Sequence, residues 1–254
     1  MNKRGVSLLG GAFLSAAAGW FLPHWLLQSH LSFVAACLIS AVQEVLLFGL
    51  PALMLLRMRG CGAEQLKARL GRTNPYHIGL TMVSAVSFTL AGSLIGALFY
   101  TMLTSLGLEL TLPDVIAPAN LTELAVAALT IGGVTSVCEE LMFRLALPEL
   151  LGIRLSRRTA ALVSSLLFAL MHFSLIGFPT LLIFSLFAHH LIARRGNLLL
   201  PILFHAMYNF SVLVMNHKEA TPGFGMILLC VGLFVFTARL LLKEENDAAD
   251  RARY

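Results

Sequence analysis

Eight apolar runs divide this chain, at 5–27, 31–56, 77–106, 121–150, 157–176, 178–194, 198–215 and 222–242, and the connections between them are short apart from 57–76 and 107–120. A helix needs roughly 20 apolar residues to cross the hydrocarbon of a bilayer. A barrel strand needs only about 10, alternating in hydropathy. The runs are too long and too uniformly apolar for strands, so each predicts a helix. Of the 254 residues, 58% are hydrophobic and 12% charged, whereas soluble domains carry roughly 25% charge. The expected fold is all-α: a polytopic membrane helical bundle of about eight transmembrane helices. It forms a single membrane domain over 1–254, with no room for a separate soluble domain. The polar stretch 243–254, KEENDAADRARY, is expected to be a flexible cytoplasmic tail.

The formal charge of +5 does not point to nucleic acid, because the basic residues sit at the ends of the runs. Lys3 and Arg4 precede the first. Arg57, Arg59, Lys67, Arg69 and Arg72 follow the second. Arg154, Arg157 and Arg158 follow the fourth, Arg194 and Arg195 the sixth, and Arg239, Lys243, Arg251 and Arg253 the eighth. With eight spans all of these fall on one side, and the other side holds only Lys218. The positive-inside rule then places both termini in the cytoplasm. The first run also has features of a signal peptide, with Lys3-Arg4, an apolar core and Ala16-Ala17-Ala18-Gly19. It continues to Leu27, however, which favours an uncleaved anchor. Segment 57–76 reads either as a short interfacial helix or as a solvated loop.

Charge inside an apolar run is costly enough to need a partner or a task. Glu139, Glu140 and Arg144 lie inside LAVAALTIGGVTSVCEELMFRLAL. Glu140 and Arg144 are four apart and share a helix face, while Glu139 points about 100° away. His172 follows in the fifth run, and His205 and Asn209, again four apart, in the seventh. At a rise of ~1.5 Å per residue these groups reach comparable depth in the cytoplasmic half of the membrane, with His205 the shallowest. Cys37, Cys61, Cys138 and Cys230 have no CxxC spacing and are expected as reduced thiols.

Glu139-Glu140-x-x-x-Arg144, Phe168-x-x-x-His172 and His205-x-x-x-Asn209, in that order on separate runs, resemble the motif series of the CPBP family. This is the family of type II CAAX prenyl endopeptidases and bacteriocin-processing enzymes, also called Abi. The resemblance covers roughly 121–215. It implies an intramembrane glutamic endopeptidase that uses no cofactor. In that reading Glu139 is the general base that activates water, helped by His172. His205 and Asn209 hold the oxyanion, Glu140 and Arg144 orient the site, and Phe168 packs to place His172. The residues themselves agree: apolar surroundings strengthen a free carboxylate as a base, and neutral donors aimed at a tetrahedral intermediate are worth about 3–4 kcal/mol each.

The expected partners are the lipid bilayer and a membrane protein or peptide substrate. The compact chain fits a bacterial inner membrane. Other readings stay open at this stage. Glu139, Glu140 and Arg144 suit a buried ion network that locks packing, and His205 and Asn209 suit interhelical bonding. The Glu and His residues could bind zinc, although HExxH is absent. A non-catalytic membrane scaffold or immunity protein would retain the same fold. Four further features complete the reading: Glu44 in the second run either contacts the site or, by preference, pairs structurally with another span; Cys138 is a small core residue; Gly132-Gly133 allow close helix approach; and His189 and His190 are interfacial or contribute to substrate entry.

Overall fold

The computed structural model describes residues 31–71, 73–110 and 116–243. The first apolar run and residues 244–254 lie outside the described residues, and with them the anchor, signal-peptide and tail expectations. Among the described residues the chain forms eight helices and no strand. They are α1 Phe33–Met58, α2 Ala63–Leu70, α3 Pro75–Ser105, α4 Leu121–Leu151, α5 Arg157–Leu170, α6 Phe178–Arg195, α7 Leu199–His217 and α8 Phe224–Leu242.

Five of these, α1, α3, α4, α7 and α8, are long and apolar enough to cross a membrane. The expectation of about eight spans is therefore corrected in its fifth and sixth members. The helix in run 157–176 stops at Leu170, because residues 171–177 form turns and Phe173 takes a positive φ of 48°. Its 14 residues extend about 21 Å, short of a bilayer core of about 30 Å. Helix α6 has 18 residues but ends in Arg194 and Arg195. The α5–α6 pair nevertheless packs as an antiparallel hairpin, so it preserves the parity of the chain.

Local signals start the helices where the chain calls for them. Ser32, Asn74, Asn120 and Ser156 accept hydrogen bonds from first-turn amides of α1, α3, α4 and α5, which is the role their short polar side chains favour. Glu123 Oε2 in turn accepts from the Ala119 amide N–H at 2.8 Å. Gly196 ends α6 in the left-handed region at φ 59°, where a side chain would be strained. Helices α1 and α4 each contain a π-helical turn just before a proline. Val45–Gly49 precedes Pro51, and Leu141–Ala146 precedes Pro148. Proline cannot donate to the carbonyl four residues back, and the i→i+5 pattern accommodates the gap. A third π stretch, Ala128–Thr135, spans Gly132-Gly133.

Long-range hydrogen bonds bring the loops to two ends. At one end Leu198 N–H donates to Arg69 C=O at 2.9 Å, Arg69 pairs with Glu149, and Arg195 donates to Leu240 and Leu241 carbonyls. At the other end Asn216 Nδ2 donates to Ile116 C=O and His217 Nδ1 to Pro118 C=O. Arg57, Arg59, Arg69, Arg154, Arg157, Arg158, Arg194, Arg195 and Lys243 thus gather at a single end, as the charge pattern predicts. The segment after α1 forms the short, exposed helix α2.

The core is rich in aromatic residues. Phe88 of α3 meets Phe184, Phe204, Tyr208 and Phe234, with ring centroids 4.9–6.1 Å apart. Outward faces such as Leu38, Val42, Leu46 and Met54 of α1 are exposed and apolar, as helices facing lipid require.

Candidate active site

The site is built where α4 and α7 cross, with α5 and α6 behind them. Glu140 is fully buried and is its most heavily bonded member. Arg144 Nη2 donates to Glu140 Oε1 at 3.0 Å, and Arg144 Nε lies 2.9 Å from Glu140 Oε2. The second contact is close enough for an ion pair but is not aligned as a hydrogen bond, and neither atom has another partner. The i,i+4 pair expected from spacing is present. Two long-range contacts add to it. Arg144 Nη1 donates to Ser185 Oγ of α6 at 2.9 Å. His205 Nδ1 of α7 lies 2.9 Å from Glu140 Oε1. The Arg144 guanidinium also sits over the Phe168 ring, 4.7 Å from its centroid, a cation–π contact.

Glu139 lies beside this network rather than in it. It is buried, and its Oε2 stands 3.7 Å from His205 Nε2, beyond hydrogen-bond distance. Among the described residues that oxygen has no hydrogen-bond partner. One histidine therefore bridges two consecutive carboxylates, one tightly and one loosely. The backbone rotation of about 100° between neighbouring helical residues places them on either side of the ring.

On helix-end arithmetic His205 is the shallowest of the groups. The Arg69 loop resolves this, since it ties Leu198 and Glu149 to one level. From those two residues His205 and Glu140 lie seven and nine positions inward, a difference of about 3 Å.

His172 is placed differently from the expectation. It lies in the turn after α5 rather than on a span. Its Nδ1 bonds Phe168 C=O at 2.8 Å. A carbonyl only accepts, so Nδ1 carries the proton and Nε2 is the free position. Its ring packs 4.7 Å from the Phe168 ring, and Phe168 in turn touches Arg144 and His205. Phe168 is thus central packing for the site, stacked on Phe184 at 5.7 Å. Asn209 donates from Nδ2 to Ile131 C=O at 3.0 Å, inside the π stretch of α4. This leaves its second N–H and its Oδ1. Gly132 faces α7, but a β-carbon there would meet Ala206 C=O at 3.7 Å, an ordinary contact, so the approach of α7 does not require glycine at this position.

Sequence reasoning missed Ser185, which no spacing links to Arg144, and misread His189. His189 is buried and bonds the Phe143 backbone, so it is not interfacial. Ser185 and His189 are four apart on α6 and face α4 together. That periodicity was the available signal. Cys138 is a buried core residue, as expected. Among the described residues no three His, Cys, Asp or Glu side chains converge to hold a metal ion.

Fold and site together define a multi-pass helical membrane protein with a buried Glu–Arg–His cluster. Residues 121–211 match the family described as type II CAAX prenyl endopeptidase, Rce1-like. The matched segment runs from the start of α4 into α7 and includes Glu139, Glu140, Arg144, Phe168, His172, His205 and Asn209. No curated protein and no solved structure matches the chain.

Proposed function

We propose that the protein is an intramembrane endopeptidase that hydrolyses a peptide bond of a membrane-associated protein or peptide. The observation that carries this reading is the contrast between the two carboxylates. Glu140 is ion-paired to Arg144 through both oxygens and contacts His205, whereas Glu139 is buried with no cation paired to it and an oxygen 3.7 Å from His205 that has no hydrogen-bond partner. An ion-paired carboxylate orients its neighbours, and a buried carboxylate with a free oxygen is suited to take a proton from water.

Glu139 is the general base, and His172 assists through its free Nε2. The oxyanion is held by His205 Nε2 and the second N–H of Asn209. His205 donates from Nε2 when it carries both ring protons. In that form the formal charges of Glu139, Glu140, Arg144 and His205 cancel. Glu140 and Arg144 fix the His205 ring, and Phe168 places His172. The chemistry needs no metal, and the same activity is expected in the presence of chelators.

The end that gathers the arginines faces the cytoplasm, as the positive-inside rule requires. The protein resides in a bacterial inner membrane, where maturation of peptides or membrane proteins is the fitting task. The test is membrane proteomics of wild type against Glu139→Ala. One or more precursors should accumulate in the variant while the variant protein itself is present at normal level. Identical proteomes would refute the peptidase reading.

A further inference from the structure

Glu44 sits inside α1 in AVQEVLLFGLP, thirteen residues before the nearest following base, Arg57. The expectation of a structural ion pair finds no support, since its Oε2 is buried and has no hydrogen-bond partner among the described residues. A buried polar oxygen without a partner is destabilising, and more so at membrane depth. The local backbone accounts for where Glu44 goes. The π turn Val45–Gly49 starts immediately after it and packs against Ser136–Glu140. Gly49 lies on Cys138, where a β-carbon would come within 2.9 Å of Sγ, so a larger residue would force the Cys138 side chain or α1 to shift. Glu44 lies five positions before Gly49, one π turn away, so it shares the side of α1 that packs on Ser136–Glu140 of α4.

Two carboxylates on helices that pack together, Glu44 of α1 and Glu139 of α4, thus each present a buried Oε2 with no hydrogen-bond partner among the described residues. Glu139 itself is 7% exposed. Glu140, one position on, differs in charge pairing: its Oε1 is bonded by Arg144 and His205, and its Oε2, though not hydrogen-bonded, is ion-paired to Arg144 Nε at 2.9 Å. Two such acceptors match the two hydrogens of one water molecule. A water that donates both has its lone pair directed outward, at an incoming carbonyl carbon.

We propose that Glu44 is a catalytic residue of the water-activating centre: Glu44 Oε2 and Glu139 Oε2 each accept one hydrogen of the attacking water. The inference rests on the peptidase reading and extends it. As the water oxygen bonds to the carbonyl carbon, the O–H directed at Glu139 breaks and its proton passes to Glu139. The carbonyl π electrons move to oxygen. Glu44 keeps its hydrogen bond to the remaining O–H and holds the new hydroxyl in place. On collapse the C=O re-forms, the C–N bond breaks, and Glu139 returns the proton to the leaving nitrogen. One water is consumed and both carboxylates end as they began.

The experiment compares wild type, Glu139→Gln, Glu44→Leu and Glu44→Gln. The probe is a fluorophore–quencher peptide spanning the cleavage site of the precursor that accumulates most in Glu139→Gln membranes. Each purified protein is assayed for kcat and KM and for its melting temperature. The expected result is a kcat about 10²-fold lower in Glu44→Leu, with KM within about twofold of wild type and melting unimpaired. Glu44→Gln, whose amide oxygen still accepts, should stay within about tenfold of wild type. Leucine is at home in hydrocarbon, so a purely structural Glu44 would give a Glu44→Leu protein of wild-type kcat. That result overturns the inference, and so does an equal loss in both Glu44 variants that tracks a lowered melting temperature. If no precursor accumulates in Glu139→Gln, the peptidase reading falls, and the role of Glu44 falls with it. If precursors accumulate and Glu44→Leu cleaves normally, only the role of Glu44 falls.

Discussion

Two buried regions of this bundle are held together by opposite means. Around Glu140, four side chains from three helices meet through directional contacts near 3 Å. Around Phe88, five aromatic rings from α3, α6, α7 and α8 meet at centroid distances near 5–6 Å with no polar partner required. In hydrocarbon, apolar helices gain little from hiding apolar surface, and association rests on packing and hydrogen bonding. The aromatic region fills space and tolerates small shifts. The polar region fixes one rotation and one depth for α4, α6 and α7. Placing chemistry beside the second kind of region gives a reacting group a defined position.

The largest expected effect separates the two regions by activity alone. Glu139→Gln should reduce cleavage about 10³-fold or more while the protein remains folded, because Glu139 makes no tight bond that the fold depends on. A variant cleaving at the wild-type rate would remove Glu139 from the chemistry. Next, Arg144→Leu should cost about 4 kcal/mol of stability, since it leaves Glu140 buried without its cation. Thermal unfolding in detergent measures this. The double variant Glu140→Leu/Arg144→Leu should recover most of the stability and none of the activity. If the double variant is active, the pair has no orienting role.

Phe88→Ala should cost about 3 kcal/mol through the cavity it opens, yet activity per folded molecule should stay near wild type. An activity loss exceeding the loss of folded protein would show that the aromatic region positions the site after all. The smallest effect is expected at Ser185→Ala, about 1 kcal/mol, from one unpartnered guanidinium N–H. Unchanged stability there would mean that Arg144 draws its fixity from Glu140 and Phe168 alone.

Much of this molecule is legible in the order of its residues, for reasons of short range. Apolar runs longer than a bilayer is thick announce helices. Asparagine and serine before those runs mark their starts. A spacing of four puts Glu140 on Arg144 and His205 in line with Asn209. The arginines at alternate run ends foretell a single basic end.

The failures are equally physical. His172 leaves the helix because the chain turns at Phe173, and apolar composition continues through that turn without a visible break. The fifth run therefore looked like a span. The bond from His205 to Glu140 links residues 65 apart, and that from Arg144 to Ser185 residues 41 apart. The rotation, tilt and level of whole helices set these contacts, and no local period records them. Glu44 is the sharpest case. By its sequence it was a lone charge in an apolar helix. A π turn ahead of Pro51 and a glycine on Cys138 turn it toward α4, the helix that carries Glu139.

What the sequence determined by itself was the class of fold, the ends of most helices, the polarity of the two ends and the list of ionisable groups within the membrane. Periodicity and solvation energy act along the chain and can be read there. Only the tertiary structure decided which of those groups meet. In a bundle where every helix is apolar on most faces, the contacts between helices are selected by a few polar bonds and by shape, and both exist only once the helices have packed.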